Sequence, residues 1–104
     1  MKLLDGQRAL ITGAGSGIGK VMAQHFEKAG ARIWICDADT NNLELSLKEN
    51  PDWNGTPCDV SDENQVDQLF KKMSDSFGGL EILVNNAGIA GPTAVSYTHL
   101  TLPT

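Results

Sequence analysis

The stretch Thr12-Gly13-Ala14-Gly15-Ser16-Gly17-Ile18-Gly19 separates an apolar run, Ala9-Leu10-Ile11, from an amphipathic run that extends from Val21 to Ala29. A chain that leaves a strand through so many glycines and enters a helix at once exposes bare backbone N–H groups. The positive end of the helix dipole lies behind those groups, so they suit a diphosphate. The stretch therefore predicts an anion-binding turn between a buried strand and a helix; a glycine-rich loop without a ligand is the alternative.

The spacing of these glycines departs from the G-x-G-x-x-G fingerprint of dinucleotide-binding turns. Counted from Gly13, the third glycine of that fingerprint would fall on Ile18, and counted from Gly15 it would fall on Lys20. Glycine spacing alone is therefore weak evidence for a nucleotide site. The pattern that does fit is Thr-Gly-x-x-x-Gly-Ile-Gly, and it needs support from other segments.

Two further segments supply that support, namely Cys58-Asp59-Val60 and Asn85-Asn86-Ala87-Gly88. Together, the three ordered motifs resemble those of the short-chain dehydrogenase/reductase family over residues 1 to about 94. The resemblance implies an NAD(P)-dependent oxidoreductase that transfers a hydride between nicotinamide and a small secondary alcohol or ketone. It also implies an α/β fold: a partial Rossmann fold with a doubly wound parallel sheet in the order 3-2-1-4, helices on both faces, and no C-terminal half.

The resemblance assigns cofactor-binding residues at three places. In the glycine turn these are Gly13, Ser16, Gly17, Ile18 and Gly19. After the third strand, the Asp59 side chain is expected to take the adenine amino group and the Val60 backbone to hydrogen-bond the ring. At the end of the fourth strand, the residues expected along the cofactor are Asn86, Ala87 and Gly88.

Asp37 follows the second predicted strand, Ala31 to Cys36, and lies twenty positions beyond Gly17. Dinucleotide-binding folds place the acid that holds the adenosine ribose at about this distance. A carboxylate accepts hydrogen bonds from both ribose hydroxyls, whereas a 2′-phosphate at roughly 4 Å would be repelled by a few kcal/mol at an effective dielectric near 20. No Arg or Lys occurs in residues 13–19 or between Asp37 and Lys48. The sequence therefore predicts NAD as the cofactor, with NADP the less favoured alternative.

Several of these residues also have a purely structural interpretation. A helix cap is the alternative for the acid after the second strand, and Asp39 or Thr40 suits that use better than Asp37. Asp59 or Ser61 could likewise cap the next helix, a role that suits Ser61 better. Asn and Gly at the end of the fourth strand also suit an ordinary tight turn.

The remaining pattern predicts alternating helices and strands. The first helix carries one apolar face, made up of Ile18, Val21, Met22, Phe26 and Ala29. A second short helix is marked by Leu43 and Leu47. A third, from Asp62 to Phe77, carries an apolar stripe that we expect in the core: Val66, Leu69, Phe70, Met73 and Phe77. The run Leu80 to Val84 predicts a fourth strand that needs cover on both faces.

Composition excludes several classes of function. The 104 residues carry a net charge of −5 and no basic cluster, which disfavours nucleic acid and anionic membranes as partners. The N-terminus lacks the apolar core of a signal peptide, so we expect a cytoplasmic protein. Cys36 and Cys58 are most simply small buried residues, with a redox or disulfide role as the alternative, and no spacing suggests a metal site.

The family pattern ends near Ala94, so residues 1–94 are expected to form the N-terminal part of an NAD(P)-binding Rossmann domain. Residues 95–104 resemble a translated sequencing adapter and are expected to be a non-native tail. Members of the family use a Tyr-x-x-x-Lys pair and a Ser: the Tyr hydroxyl exchanges a proton with the substrate oxygen, the Lys lowers the Tyr pKa and holds the nicotinamide ribose, and the Ser orients the carbonyl. Tyr97 is the only tyrosine, but Thr101 stands where the lysine would be, so no catalytic residue is assigned.

The chain is therefore expected to be a fragment that lacks the catalytic residues and is inactive by itself. The full-length protein from which it derives, its parent, is expected to be a homo-oligomer. With its fourth strand uncovered, the 104-residue chain made alone is also expected to be poorly soluble or partly molten. Two other functions remain open: a non-catalytic dinucleotide-binding or sensor module, and an NADP-dependent 3-oxoacyl reductase. The substrate remains undecided.

Overall fold

The computed structural model describes residues 2–87, in which strands and helices alternate along the chain. The elements are β1 (Arg8–Thr12), α1 (Gly17–Lys28), β2 (Arg32–Asp37), α2 (Thr40–Glu49), β3 (Asn54–Pro57), α3 (Glu63–Phe77) and β4 (Ile82–Asn85). The four strands form one parallel sheet in the order β3-β2-β1-β4. This order confirms the predicted topology. Gly88 and the segment 95–104 with Tyr97 lie outside the described residues.

The strand register brings the carboxyl ends of the four strands to one edge of the sheet. Thr12 at the end of β1 pairs with Cys36 on one side and with Asn85 on the other. Asp37 at the end of β2 pairs with Pro57 at the end of β3. Ligands of open parallel sheets bind at this edge, so the register determines where the site is to be sought.

Helices cover both faces of the sheet, as the doubly wound prediction requires. Successive strand residues point to opposite faces, and β1 shows this clearly because Ala9 and Ile11 join one buried cluster while Leu10 joins the other. The first cluster contains Ala23 of α1 and Leu43 of α2. The second is built on α3, whose buried residues are Leu69, Met73 and Phe77.

Helix α1 packs on the sheet through smaller residues than the apolar pattern suggests. Gly19 and Ala23 are its buried positions, whereas Ile18 is 72% exposed and Val21 49% exposed. The predicted face is therefore wrong at these two positions, although Met22 and Phe26 are half-buried. Small residues allow the helix backbone to approach the sheet closely. That approach turns Ile18 and Val21 away from the core.

Two details of α3 also differ from the prediction. Phe70 is 41% exposed rather than in the core, because it lies at the rim of a groove with Val66 and Leu83. The N-cap is Asp62, whose side chain accepts hydrogen bonds from two backbone N–H groups, so neither Ser61 nor Asp59 caps this helix. Among residues 2–87, no helix has both the length and the hydropathy that crossing a bilayer requires.

Candidate functional site

The glycine turn joins β1 to α1 at the carboxyl edge of the sheet and leaves the start of α1 unusually open. Helices α2 and α3 have Asp39 and Asp62 as their N-caps, and the carboxylates of these residues accept hydrogen bonds from backbone N–H groups of the first turn. Ser16 is the N-cap of α1, but its side chain accepts no backbone hydrogen bond. The first turn of α1 also contains no acidic residue. Within residues 2–87, α1 is therefore the one helix whose first N–H groups lack a side-chain acceptor, which suits them to an anion.

The glycines of the turn serve two different purposes. A Cβ at Gly19 would lie 2.5 Å from the Gly13 carbonyl oxygen and 2.7 Å from the Asn86 amide nitrogen, so the absence of a side chain lets α1 dock against the turn. Gly17 has a φ of +63°, and a Cβ there would meet nothing within 4 Å. Gly17 therefore combines a left-handed backbone with open space at the helix N-terminus. This combination leaves room for an anion such as a diphosphate to approach the backbone.

Asp37 lies directly against the glycine turn. Its Oδ2 accepts a hydrogen bond of 2.9 Å from the Gly15 backbone nitrogen, and its Oδ1 accepts one of 2.9 Å from the Asp39 nitrogen. The two bonds fix the plane of a carboxylate that remains partly exposed. An ionised carboxylate has about four acceptor positions, so this side chain retains capacity for further donors. The structure thus brings together the two features that the sequence predicts to hold a diphosphate and the adjoining sugar.

The end of β4 is connected to the same turn. Asn86 donates from Nδ2 to the Gly13 carbonyl oxygen at 3.0 Å. The Thr12 hydroxyl donates to Asn85 Oδ1 and accepts from the Ala87 nitrogen, each at 3.0 Å. The Asn86 side chain thus provides a hydrogen-bond donor for a backbone carbonyl, as an asparagine at a strand end can. The bond to Thr12 places Ala87 beside the glycine turn.

Asp59 and Val60 lie just beyond β3, at the same edge of the sheet. Asp59 is exposed, and its Oδ1 accepts hydrogen bonds from the backbone nitrogen (3.0 Å) and hydroxyl (2.7 Å) of Ser61. These bonds lower the pKa of Asp59, because they stabilise its ionised form. Val60 is half-buried and lines the groove of about 150 Å³ that includes Phe70 and Thr12. The adenine contacts implied for both residues stay predictions.

One polar contact behind the turn was not predicted from the sequence. Ser46 in α2 is fully buried, and its hydroxyl donates a 2.6 Å hydrogen bond to the Gly15 carbonyl oxygen. The available signal was a serine three residues after Leu43 on the apolar side of α2. At such a position a polar side chain needs a buried partner.

The two cysteines lie just before Asp37 and Asp59 and are both free and buried. Burial raises the pKa of Cys36 to about 12 and also raises that of Cys58, so both are neutral thiols at neutral pH. Among the described residues there is no group of three His, Cys, Asp or Glu side chains that could hold a metal ion. The predicted site thus depends on backbone N–H groups and carboxylates.

Comparisons with known proteins find one family and a common fold. A family model described as short chain dehydrogenase matches residues 7–101. A tropinone reductase homologue of Arabidopsis thaliana is 39% identical over 97 residues, which cover 86% of this chain and 36% of the relative. The chain therefore spans about a third of the length of this relative. The family match extends past residue 94, and the native boundary predicted there stays a prediction.

Two solved structures resemble the chain closely. One is a 3-ketoacyl-(acyl-carrier-protein) reductase of Brucella melitensis complexed with NADH, at 44% identity and a TM-score of 0.78, covering 83% of this chain and 36% of that one. The other is a short chain dehydrogenase/reductase of Burkholderia phymatum in complex with NAD, at 33% identity and a TM-score of 0.79, covering 86% and 33%. In both cases the similarity covers about a third of the length of the solved protein.

Proposed function

The chain belongs to the short chain dehydrogenase family, and we propose that it forms the dinucleotide-binding part of an oxidoreductase. The family binds NAD(H) or NADP(H). The proposed reaction is the transfer of a hydride between the nicotinamide and a secondary alcohol or ketone. This is the activity that the sequence resemblance implies, and it applies to the full-length protein.

The observation that carries the proposal is the pairing of an open helix N-terminus with an oriented carboxylate. The first turn of α1 lacks a side-chain acceptor among the described residues, and Gly17 leaves open space in front of it. Asp37 is held 2.9 Å from the Gly15 nitrogen, on the other side of the same turn. A diphosphate at the first and a ribose at the second are adjacent parts of one molecule, so a single ligand explains both.

Each group of residues at the carboxyl edge of the sheet has a proposed role. The backbone N–H groups of Ser16, Gly17, Ile18 and Gly19 would bind the diphosphate, with Gly13 shaping the turn. Asp59 and the Val60 backbone would hold the adenine, and Asn86, Ala87 and Gly88 would line the path toward the nicotinamide. When bound, the nicotinamide supplies the hydride chemistry. No proton-transfer residue is assigned to this chain.

We further propose that NAD is preferred to NADP. The Asp37 carboxylate is partly exposed and already fixed in orientation by two backbone N–H groups. It would accept hydrogen bonds from the ribose hydroxyls and repel a 2′-phosphate. The NADH and NAD complexes among the similar structures support this preference but belong to other proteins.

The test measures, by fluorescence titration, the affinities of the full-length protein and of its Asp37→Ala variant for NADH and for NADPH. We expect the unmutated protein to bind NADH more tightly, and the variant to lose most of that difference. Equal affinity of the unmutated protein for both dinucleotides would overturn the NAD assignment. Failure to bind either would overturn the dinucleotide site itself.

Other features of the parent are proposals that rest on the sequence alone. They are a small alcohol or carbonyl substrate, a homo-oligomeric and cytoplasmic protein, and a native segment that ends near residue 94. A non-catalytic sensor is the main alternative to an enzyme. The native sequence downstream decides between them, because a Ser followed by Tyr-x-x-x-Lys indicates an enzyme.

A further inference from the structure

Helix α2 holds the glycine turn in place, although none of its residues is assigned to the cofactor. Both backbone groups of Gly15 are hydrogen-bonded: its N–H donates to Asp37 Oδ2 at 2.9 Å, and its carbonyl accepts from the Ser46 hydroxyl at 2.6 Å. Gly15 is itself buried against the start of α2. A Cβ at this position would lie 2.8 Å from Asp37 Oδ2 and 3.0 Å from the Leu43 nitrogen.

This arrangement makes the orientation of Asp37 depend on α2 in two ways. The Asp39 nitrogen, at the N-cap of α2, fixes Oδ1 directly. The Ser46 hydroxyl, two turns further along the helix, acts on Oδ2 indirectly, by holding the Gly15 backbone whose N–H donates to Oδ2. Ser46 is fully buried, so its hydrogen bond does not compete with water. Removal of the hydroxyl would leave the Gly15 carbonyl without this donor and loosen the backbone dihedrals of Gly15, a residue with no side chain to restrict them.

We propose that Ser46 is a positioning residue for recognition of the adenosine ribose. It acts by holding Gly15 so that the Gly15 N–H aims the Asp37 carboxylate at the ribose hydroxyls. The inference rests on the proposed dinucleotide function and assigns part of the selectivity for a 2′-hydroxyl to a buried side chain that does not touch the ligand.

A double-mutant cycle in the full-length protein tests this role. The variants are Ser46→Ala, Asp37→Ala and the double variant, each titrated with NADH and NADPH. Ser46→Ala is expected to weaken NADH binding about five- to tenfold, the usual effect of one lost hydrogen bond. NADPH binding should change by less than about twofold, since little of it depends on Asp37. In the Asp37→Ala background, the same substitution should change NADH binding by less than about twofold.

Ser76→Ala is the matched control, because Ser76 is an exposed serine in α3 and should leave both affinities unchanged. If Ser46→Ala does not fold, Ser46→Cys replaces it, since it keeps a similar shape with a much weaker donor and carries the same expectation. A merely structural serine would lower the melting temperature without altering NADH affinity, or would weaken NADH and NADPH binding equally. It would also weaken NADH binding equally in both backgrounds.

Any of those three results would overturn the role of Ser46. They are distinguishable from a failure of the proposed function, in which the unmutated protein binds neither dinucleotide and both proposals fall together.

Discussion

The side-chain nitrogen of Asn86 lies 3.0 Å from the carbonyl oxygen of Gly13, so the last described residues after β4 are connected to the turn after β1. The two residues are 73 positions apart in the chain. A Cβ at Gly13 would lie 3.0 Å from the Ala87 backbone, which shows how closely the two segments pack. Asn86 therefore holds the shape of the glycine turn as well as being a proposed cofactor residue.

Replacement of Asn86 by alanine should destabilise the full-length protein without any ligand present. The Gly13 carbonyl would lose its side-chain donor, at a cost of about 1 kcal/mol for a half-buried hydrogen bond. Urea unfolding measures the change. Asn64→Ala is the control, because Asn64 is exposed in the first turn of α3 and should cost far less. Equal losses in the two variants would show that the contact contributes nothing to stability.

Gly17 and Gly6 provide a matched pair that separates backbone strain from ligand contact. Both have positive φ values, +63° and +76°, and a Cβ at either would meet nothing within 4 Å. Alanine at each position should cost a similar amount of stability, about 1–2 kcal/mol for a left-handed L-residue. Only Gly17→Ala should also weaken NADH binding, about tenfold or more, because its methyl group would enter the space proposed for the diphosphate. Equal NADH affinity in both variants would argue against diphosphate binding at Gly17.

Gly19→Ala gives a prediction of sign. In a helix, alanine is more favourable than glycine by about 1 kcal/mol, so helix propensity alone predicts that Gly19→Ala is more stable. The new methyl group would instead lie 2.5 Å from the Gly13 carbonyl oxygen and 2.7 Å from Asn86 Nδ2. We expect the overlap to dominate and to destabilise the protein by about 1–3 kcal/mol, measured by thermal or urea unfolding. A rise in stability would show that α1 shifts away from the turn at little cost.

The sequence predicted the sheet and its order because the signals were local or carried by known motifs. Short runs that are followed by glycine, aspartate or asparagine indicated the strands, and their order came with the family resemblance. Burial was harder to predict. The pattern placed Ile18 and Val21 on the apolar face of α1, but the contact with the sheet is made by Gly19 and Ala23. Side-chain size, rather than hydrophobicity, sets how closely this helix approaches.

The candidate site also contains one residue that the sequence predicts and one contact that it does not. Asp37 was predictable because its distance from the turn follows from one strand and one helix, and it does lie against Gly15. The burial of Ser46 had a signal in the sequence, but its partner had none, because that partner is a backbone carbonyl 31 positions away that only the fold brings near. Contacts made by backbone groups leave no pattern in the residue types. They have to be read from the structure.

The two cysteines should be unreactive in the folded protein. Burial raises the pKa of Cys36 to about 12 and also raises that of Cys58, and the thiolate is the form that alkylating agents attack. Iodoacetamide at pH 8 should therefore label neither residue in the native state and both in denaturant, as read by peptide mass spectrometry.

The raised pKa of Cys36 also sets the sign of a stability change with pH. Because the folded state keeps a proton that the unfolded state loses above its ordinary value of 9.0, this contribution to stability is complete below pH 9 and is lost as pH rises toward 12. Cys36→Ala removes that dependence, so its unfolding free energy should fall less steeply than that of the unmutated protein over this range. Identical slopes, or rapid native labelling of Cys36 at pH 8, would mean that the thiol is accessible to solvent and ionises freely.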